Sequence, residues 1–218
     1  MRDEQLDFLD VAEARREPRP KGAHLFRVFS MKNHCALEMH YRTQLIEWAR
    51  FEFDSQLVSF VPLNKQFKTD EGSLRISFKL EYLNEDVLAY VAGQGNEPVE
   101  EAFEEACAVI GIKTRRMGQD AVSVSRIEVW NRLKILAFIT RWRHEITADS
   151  VKRFLFDLSC ESQCLLSDFD QIVGFSDGKG MAFGLEMVRA GRFYLPSLCE
   201  KALSHNSVII CAASGDMK

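Results

Sequence analysis

Apolar and polar positions alternate in two short runs near the start of the chain, Leu25 to Phe29 and Ala36 to Met39, on either side of Lys32-Asn33-His34. That pattern predicts a β-hairpin. From Tyr41 to Phe51 the apolar residues fall at 41, 45, 48, 49 and 51, a helical spacing closed by Phe53-Asp54-Ser55. Leu57 to Val61 returns to a strand pattern, and Leu74 to Leu83 with Val87 to Ala92 flank Asn84-Glu85-Asp86 as a second hairpin. Pro98 is well placed in the first turn of a helix that runs to Val109, where Gly111 stops it. Ile112 and Lys113 begin a last strand. Helix, strand, long hairpin, helix and strand in that order predict a mixed sheet with helices packed against it.

A second pattern starts near Asp120. Between Ser125 and Trp142 the residues Ile127, Trp130, Leu133, Ala137 and Phe138 recur at three- and four-residue steps, which predicts one long helix. Thr147 can cap a helix from Ala148 to Leu158, and Ser167 a short one from Asp168 to Val173. Phe175 to Gly180, FSDGKG, reads as a turn. Met181 to Ala190 reads as a helix ended by Gly191, and Arg192 to Leu198, RFYLPSL, as a short extended piece. Short helix, turn, helix and strand is the order of a winged-helix module. The expected organisation is an irregular, flexible arm over 1–22, an α/β (α+β) domain over 23–118, a mostly helical domain over 119–213, and a tail over 214–218.

Charge changes the picture locally. The net charge is only −4, yet Glu81 to Val109 holds eight acids and no Lys or Arg, and Lys113 to Arg153 holds ten Lys or Arg against four acids. The basic segment is a candidate phosphate-facing or partner-facing surface, with solvated helix faces as the plainer explanation. The aromatics interleaved there, Trp130, Phe138, Trp142, Phe154 and Phe156, could stack on bases, but their helical spacing favours core packing. Six cysteines without framework spacing predict free thiols; Cys160 and Cys164 have no second pair to complete a zinc site. Gly178-Lys179-Gly180 lacks the spacing of a phosphate-binding loop, and the five histidines share no ligand spacing. No apolar run approaches the roughly 18 residues of a membrane span, and the first twenty residues carry acids where a signal peptide needs an apolar core, so a cytoplasmic protein is expected.

The stretch from Arg27 to Asp54 resembles the start of the nuclease domain of TnsA, the endonuclease subunit of heteromeric transposases. Arg27-Val28-Phe29-Ser30 stands where that family has a strand ending in serine, and Lys32-Asn33 matches its frequent Lys-Asn before a turn. Phe51-Glu52-Phe53-Asp54 is similar to its Leu-Glu-Phe-Asp, and Leu57-Val58-Ser59-Phe60 to its Val-Val-Ser-Phe. The resemblance covers 24–114, with a softer match over Ala182 to Leu198. It implies a restriction-endonuclease-like mixed sheet followed by a helical, winged-helix-like domain.

The family's chemistry needs a helix glutamate, a strand aspartate and a Glu-x-Lys to hold magnesium or manganese, which activates water against a phosphodiester. Here the glutamate position is Gln44, the aspartate falls near Ser77, and the Glu-x-Lys falls on Val91-Ala92-Gly93. These degenerate positions leave no catalytic or metal-binding residue and no cofactor. The resemblance therefore implies a catalytically inactive subunit of a transposition complex, binding DNA ends and assembling with transposase and ATPase subunits, with no membrane partner. Its DNA contacts would come from Arg115, Arg116, Arg126, Arg132, Arg141, Arg143, Lys152 and Arg153. Two other readings stay open. One is an active magnesium- or manganese-dependent endonuclease with a migrated site using Glu47 and Glu81 or Asp86. The other is a DNA-independent adaptor or inhibitor from a mobile element.

Overall fold

The computed structural model describes residues 21–91, 97–117, 126–158 and 162–211 of the 218. The arm expected over 1–22 lies outside them except for Lys21 and Gly22, and the tail expected over 214–218 lies outside them entirely. The fold is mixed α/β, with a four-stranded mixed sheet and several helices. The described residues fall into two compact units, the first within Met1–Trp48 and Gln56–Ser123, the second within Ala49–Ser55 and Val124–Lys218. Residues Ala49–Ser55, the end of the first helix and the turn after it, fall with the second unit.

The first unit opens with the hairpin β1 (Phe26–Ser30) and β2 (Cys35–Met39), followed by α1 (Arg42–Phe51). Then come β3 (Leu57–Thr69), β4 (Gly72–Tyr82), β5 (Glu85–Val91), α2 (Glu97–Val109) and β6 (Lys113–Met117). The sheet order is β3-β4-β5-β6, with β5 and β6 parallel and the other pairs antiparallel. β5 is central, and its run Val87-Leu88-Ala89-Tyr90 is buried without interruption, as a strand covered on both faces requires. Leu88 and Tyr90 join Leu63, Phe67, Leu74 and Ile76 against Val99, Phe103 and Cys107 of α2. Those three helix residues are spaced by four and form one buried stripe. The Phe103 ring lies 5.3 Å from Phe67 and 5.4 Å from Tyr90.

Strand β3 runs eight residues beyond Val61, where the alternation predicts its end. Pro62 looks like a terminator, but β3 is an edge strand, where a missing amide donor is tolerated. Its register with β4 also shifts twice, between Leu57 and Ser59 and between Pro62 and Lys65. The buried residues Leu57, Phe60, Leu63 and Phe67 are therefore not two apart, and no period-two signal survives.

The second unit contains α3 (Arg126–Trp142), α4 (Ala148–Asp157), β7 (Gln163–Leu165), a 3₁₀ helix (Leu166–Gln171), α5 (Lys179–Arg189), β8 (Phe193–Tyr194), a second 3₁₀ helix (Pro196–Cys199) and β9 (Val208–Cys211). Thr147 caps α4 through a reciprocal pair with Ser150. Ser167 does not cap the next element: the Asp168 carboxylate accepts from the Leu165 amide at 2.8 Å, and the turn stays 3₁₀. α5 starts two residues before Met181, because Asp170 accepts from the amides of Gly178 and Met181, each at 3.0 Å, and so satisfies its first turn. The strands form an antiparallel sheet in the order β7-β9-β8, of which β9 carries no signal strong enough to be read from the sequence.

The core of this unit is aromatic. Phe154 lies within 5.6 Å of Phe169, Phe175 and Phe183, centroid to centroid. Glycine makes room for it. A Cβ on Gly180 would sit 2.0 Å from the Phe169 carbonyl oxygen, and one on Gly184 would sit 2.4 Å from the Phe169 ring. α5 is buried from Gly180 to Val188. Asn131 of α3 donates to the carbonyls of Leu198 and Lys201 at 2.8 and 2.7 Å and accepts from the Leu203 amide at 2.8 Å, holding the long connection between β8 and β9.

Candidate functional site

The residues that carry the resemblance have structural partners. Asn33, in the β1–β2 turn, donates to the Phe60 carbonyl at 2.6 Å and accepts from the Phe60 amide at 3.3 Å, mimicking a paired strand residue. Lys32 donates to the Leu57 carbonyl at 2.7 Å, and the Ser30 hydroxyl accepts from the Asn33 amide at 3.0 Å. This clips the hairpin onto β3. In the second unit, Glu52 is fully buried, and its carbonyl accepts from the Arg189 guanidinium at 3.0 Å. Arg189 also grips Glu186 through two nitrogens at 2.7 and 2.6 Å, and Phe53 lies under Arg132 at 4.7 Å.

The centre of the candidate site is Gln44, fully buried on α1. Its side-chain oxygen accepts from the His40 amide at 3.2 Å. Its nitrogen faces three oxygens, the Leu63 carbonyl at 3.1 Å, the Asn64 side-chain oxygen at 3.2 Å and the Ser77 carbonyl at 3.4 Å. The sheet is irregular at this point. Leu63 and Asn64 of β3 together oppose Ser77, since Pro62 pairs with Phe78 and Lys65 with Ile76. On the other side of β4, Ile76 pairs with Tyr90 and Phe78 with Ala89, so Ser77 is an extra residue there too. Two bulges coincide, and their freed carbonyls converge on one amide nitrogen. The Ser77 hydroxyl and His40 Nδ1 are buried without a hydrogen-bond partner.

Gln44 and Ser77 are thus brought together, but Val91 is not paired with them. It lies opposite Arg75 in β4 and Met117 in β6. The bulge at Ser77 shifts the register by one, so the β5 residues flanking Ser77 are Ala89 and Tyr90. Gly93 lies outside the described residues.

Magnesium or manganese needs several oxygen ligands, carboxylates among them. At this position the group pointing at the oxygens is itself a donor. The His40 amide fixes which end of the Gln44 amide is oxygen, and the opposing carbonyls can only accept. The residues present do not fit a divalent ion. Among the described residues, no cluster of three or more His, Cys, Asp or Glu side chains could hold a metal. The acids considered for a migrated site stand apart. Glu81 and Asp86 face each other at the turn end of the β4–β5 hairpin, about 13 Å along β4 from Ser77. Glu81 accepts from the Ser59 hydroxyl at 2.5 Å, and Asp86 pairs with Lys79 at 2.7 Å. Glu47, one turn from Gln44, is buried.

The eight basic residues divide between the units. Arg115 and Arg116 are in β6, not in a linker; Arg115 donates to the Tyr82 hydroxyl at 3.3 Å, and Arg116 pairs with Glu100 at 3.0 Å. Arg126 begins α3 and is exposed. Arg132 is only 17% exposed, paired with Glu128 at 2.9 Å as well as lying over Phe53. Arg143 donates to the Thr140 carbonyl at 3.0 Å, closing the end of α3. Arg141 is exposed, 5.9 Å from the Trp142 ring. Lys152 and Arg153 are exposed in the middle of α4, not at its start, with Asp149 at 4.0 Å and Asp157 at 3.5 Å.

Burial accounts for the shifted titrations. It raises the Tyr90 hydroxyl, helped by its 2.5 Å hydrogen bond to Glu104, and pushes the Cys107 thiol up to about 11. Asn64 is not legible from the sequence as part of the site, because it lies in a bulge that no alternation announces. Among the described residues, no helix is long and apolar enough to cross a membrane. No protein-family model matches the chain, and no curated protein matches it.

Proposed function

We propose that this protein is a non-cleaving counterpart of the TnsA-like nuclease subunits, serving in DNA contact and in assembly with transposase and ATPase partners of a mobile element. One observation carries the reading. The Gln44 amide nitrogen stands among the Leu63, Asn64 and Ser77 oxygens, at the helix position where the resemblance implies a metal-binding glutamate. A fixed donor there substitutes for the positive charge of an ion, so the double bulge keeps its shape without metal. The order α4, β7, 3₁₀ helix, α5, β8, β9, with the sheet order β7-β9-β8, supports a winged-helix module in the second unit.

A second reading, assembly without DNA, draws on the burial of α5. A helix that reads a major groove presents side chains at its N-terminal end. α5 is buried from its second residue onward, which favours protein docking over groove reading for this unit. The test is a plasmid-nicking assay with magnesium or manganese, paired with fluorescence anisotropy on duplex DNA across a salt series. The proposal expects no nicking, and binding that weakens with salt as counterions return to the phosphates. Charge reversal at Arg115 and Arg116, and separately at Lys152 and Arg153, should lower both affinity and salt slope. Nicking that Glu47→Ala abolishes would establish the migrated nuclease instead. Absence of DNA binding by the wild type would establish the adaptor.

A further inference from the structure

The second unit contains a cavity of about 400 Å³. Phe138, Leu166, Met181, Leu185 and Leu203 form its apolar wall, and Ala137 of α3, an exposed residue, lines it too. Lys134 and Arg141 line it as well, both exposed, so two cations share the lining with an apolar wall. Some exposed cations of this protein face acids, as Arg27 does Glu38 at 3.0 Å and Arg153 Asp157 at 3.5 Å. Among the described residues, Lys134 and Arg141 have no carboxylate within ion-pair distance.

A volume of this size is in the range of small-molecule sites, and an apolar wall offers water few partners. A phosphodiester backbone has no use for an apolar wall, and a purely apolar ligand would not use two lining cations that lack a carboxylate partner. An amphiphilic anion uses both. Its chain would displace water from the Phe138 and Leu185 wall, and its carboxylate would take the Arg141 guanidinium in fork geometry with Lys134 as a second charge.

We propose that the second unit binds a medium-chain carboxylate in this cavity, tail inward and head group at Lys134 and Arg141. The site does not depend on the proposed role at DNA. The test is isothermal titration calorimetry of the full chain with octanoate, with octanol and acetate as the tail-only and head-only probes. Octanoate should bind saturably at one per chain, and octanol and acetate at least tenfold more weakly. Lys134→Glu with Arg141→Glu, at exposed positions, should weaken octanoate at least tenfold. Ala137→Trp, at an exposed lining position, should block it by occupying the space beside the apolar wall, with circular dichroism unchanged. Octanoate that does not saturate, octanol that binds equally well, or octanoate binding retained by Ala137→Trp would overturn the proposal.

Discussion

Gln44→Glu tests the amide-for-cation reading with almost no change in shape. In the wild type the Gln44 nitrogen supplies the hydrogens for the Leu63 carbonyl, the Asn64 side chain and the Ser77 carbonyl, in a fully buried setting. A carboxylate would turn an acceptor toward three acceptors. Stranding buried polar groups costs about 1–3 kcal/mol each, and leaving a buried charge unpaired about 3–5 kcal/mol. The expected loss at pH 8 is therefore about 3–5 kcal/mol, a large share of a typical folding stability. The sign with pH follows from protonation. The folded state would hold the proton of the introduced carboxyl more tightly than the unfolded chain, where a glutamate titrates near ~4.3. The penalty is smallest below that pH and grows by about 1.4 kcal/mol per unit above it until the folded carboxyl ionises. The assay is urea unfolding of the wild type, Gln44→Glu and Gln44→Met between pH 4 and 8. Gln44→Met removes the donor without adding charge, so its deficit should stay flat across that range. Magnesium or manganese should restore part of the Gln44→Glu stability at pH 8, as a cation replaces the lost donor. A Gln44→Glu protein as stable as the wild type at pH 8 would refute the reasoning.

Three further outcomes are expected. Gly184→Ala should gain about 1 kcal/mol in helix propensity yet lose stability overall, because its Cβ would meet the Phe169 ring at 2.4 Å; a rise in melting temperature would contradict this. Arg189→Met should cost about 3–5 kcal/mol at neutral pH, since the Glu186 carboxylate and the buried Glu52, 3.8 Å away, lose the guanidinium they face; urea unfolding at pH 7 checks it. Cys107, its thiol pushed up to about 11, stays protonated when folded while the unfolded chain ionises near the ordinary 9. Stability is then complete below that pH and falls as pH rises toward 11, and Cys107→Ala should show a shallower alkaline slope in denaturant titrations.

Elements with uninterrupted period are legible in this sequence. α1 and α2 follow their apolar spacing, and the Thr147 cap is read from chemistry that acts over three residues; α3 forms where predicted, but Ile127, Trp130 and Ala137 of its spacing are exposed while Asn131, Ile135, Leu136 and Ile139 are buried. Strand β3 fails because two bulges destroy its alternation while Pro62 imitates a stop. The same irregularity hides half of the candidate site. Gln44 and Ser77 can be named from the resemblance, but Asn64 enters only because the bulge delivers it, and Val91 drops out because the register shifts at Ser77. The basic segment supplies eight candidate DNA contacts in the sequence, which span too many elements to face one way, and of these Arg132 is committed to Glu128 and Phe53, and Arg143 to its own helix end. Linear charge density says nothing about which cations already have partners.

The four-stranded sheet has two edge strands among the described residues, β3 and β6, and Lys32 and Asn33 cover only the Leu57 to Phe60 part of the first. An open margin offers unpaired amides and carbonyls to any other chain and can seed aggregation. β3 guards its margin with Pro62, a bulge, and the cations Lys65 and Lys68. β6 is short and has no bulge, and four of its five residues are Lys113, Thr114, Arg115 and Arg116. Its protection is charge repulsion between copies. Neutral substitutions at Arg115 and Arg116 would therefore expose a sticky strand, and clumping would pass for lost affinity in the proposed DNA assay. Glutamate at both positions keeps the margin charged, so only the reversed sign is left to account for a change in that assay.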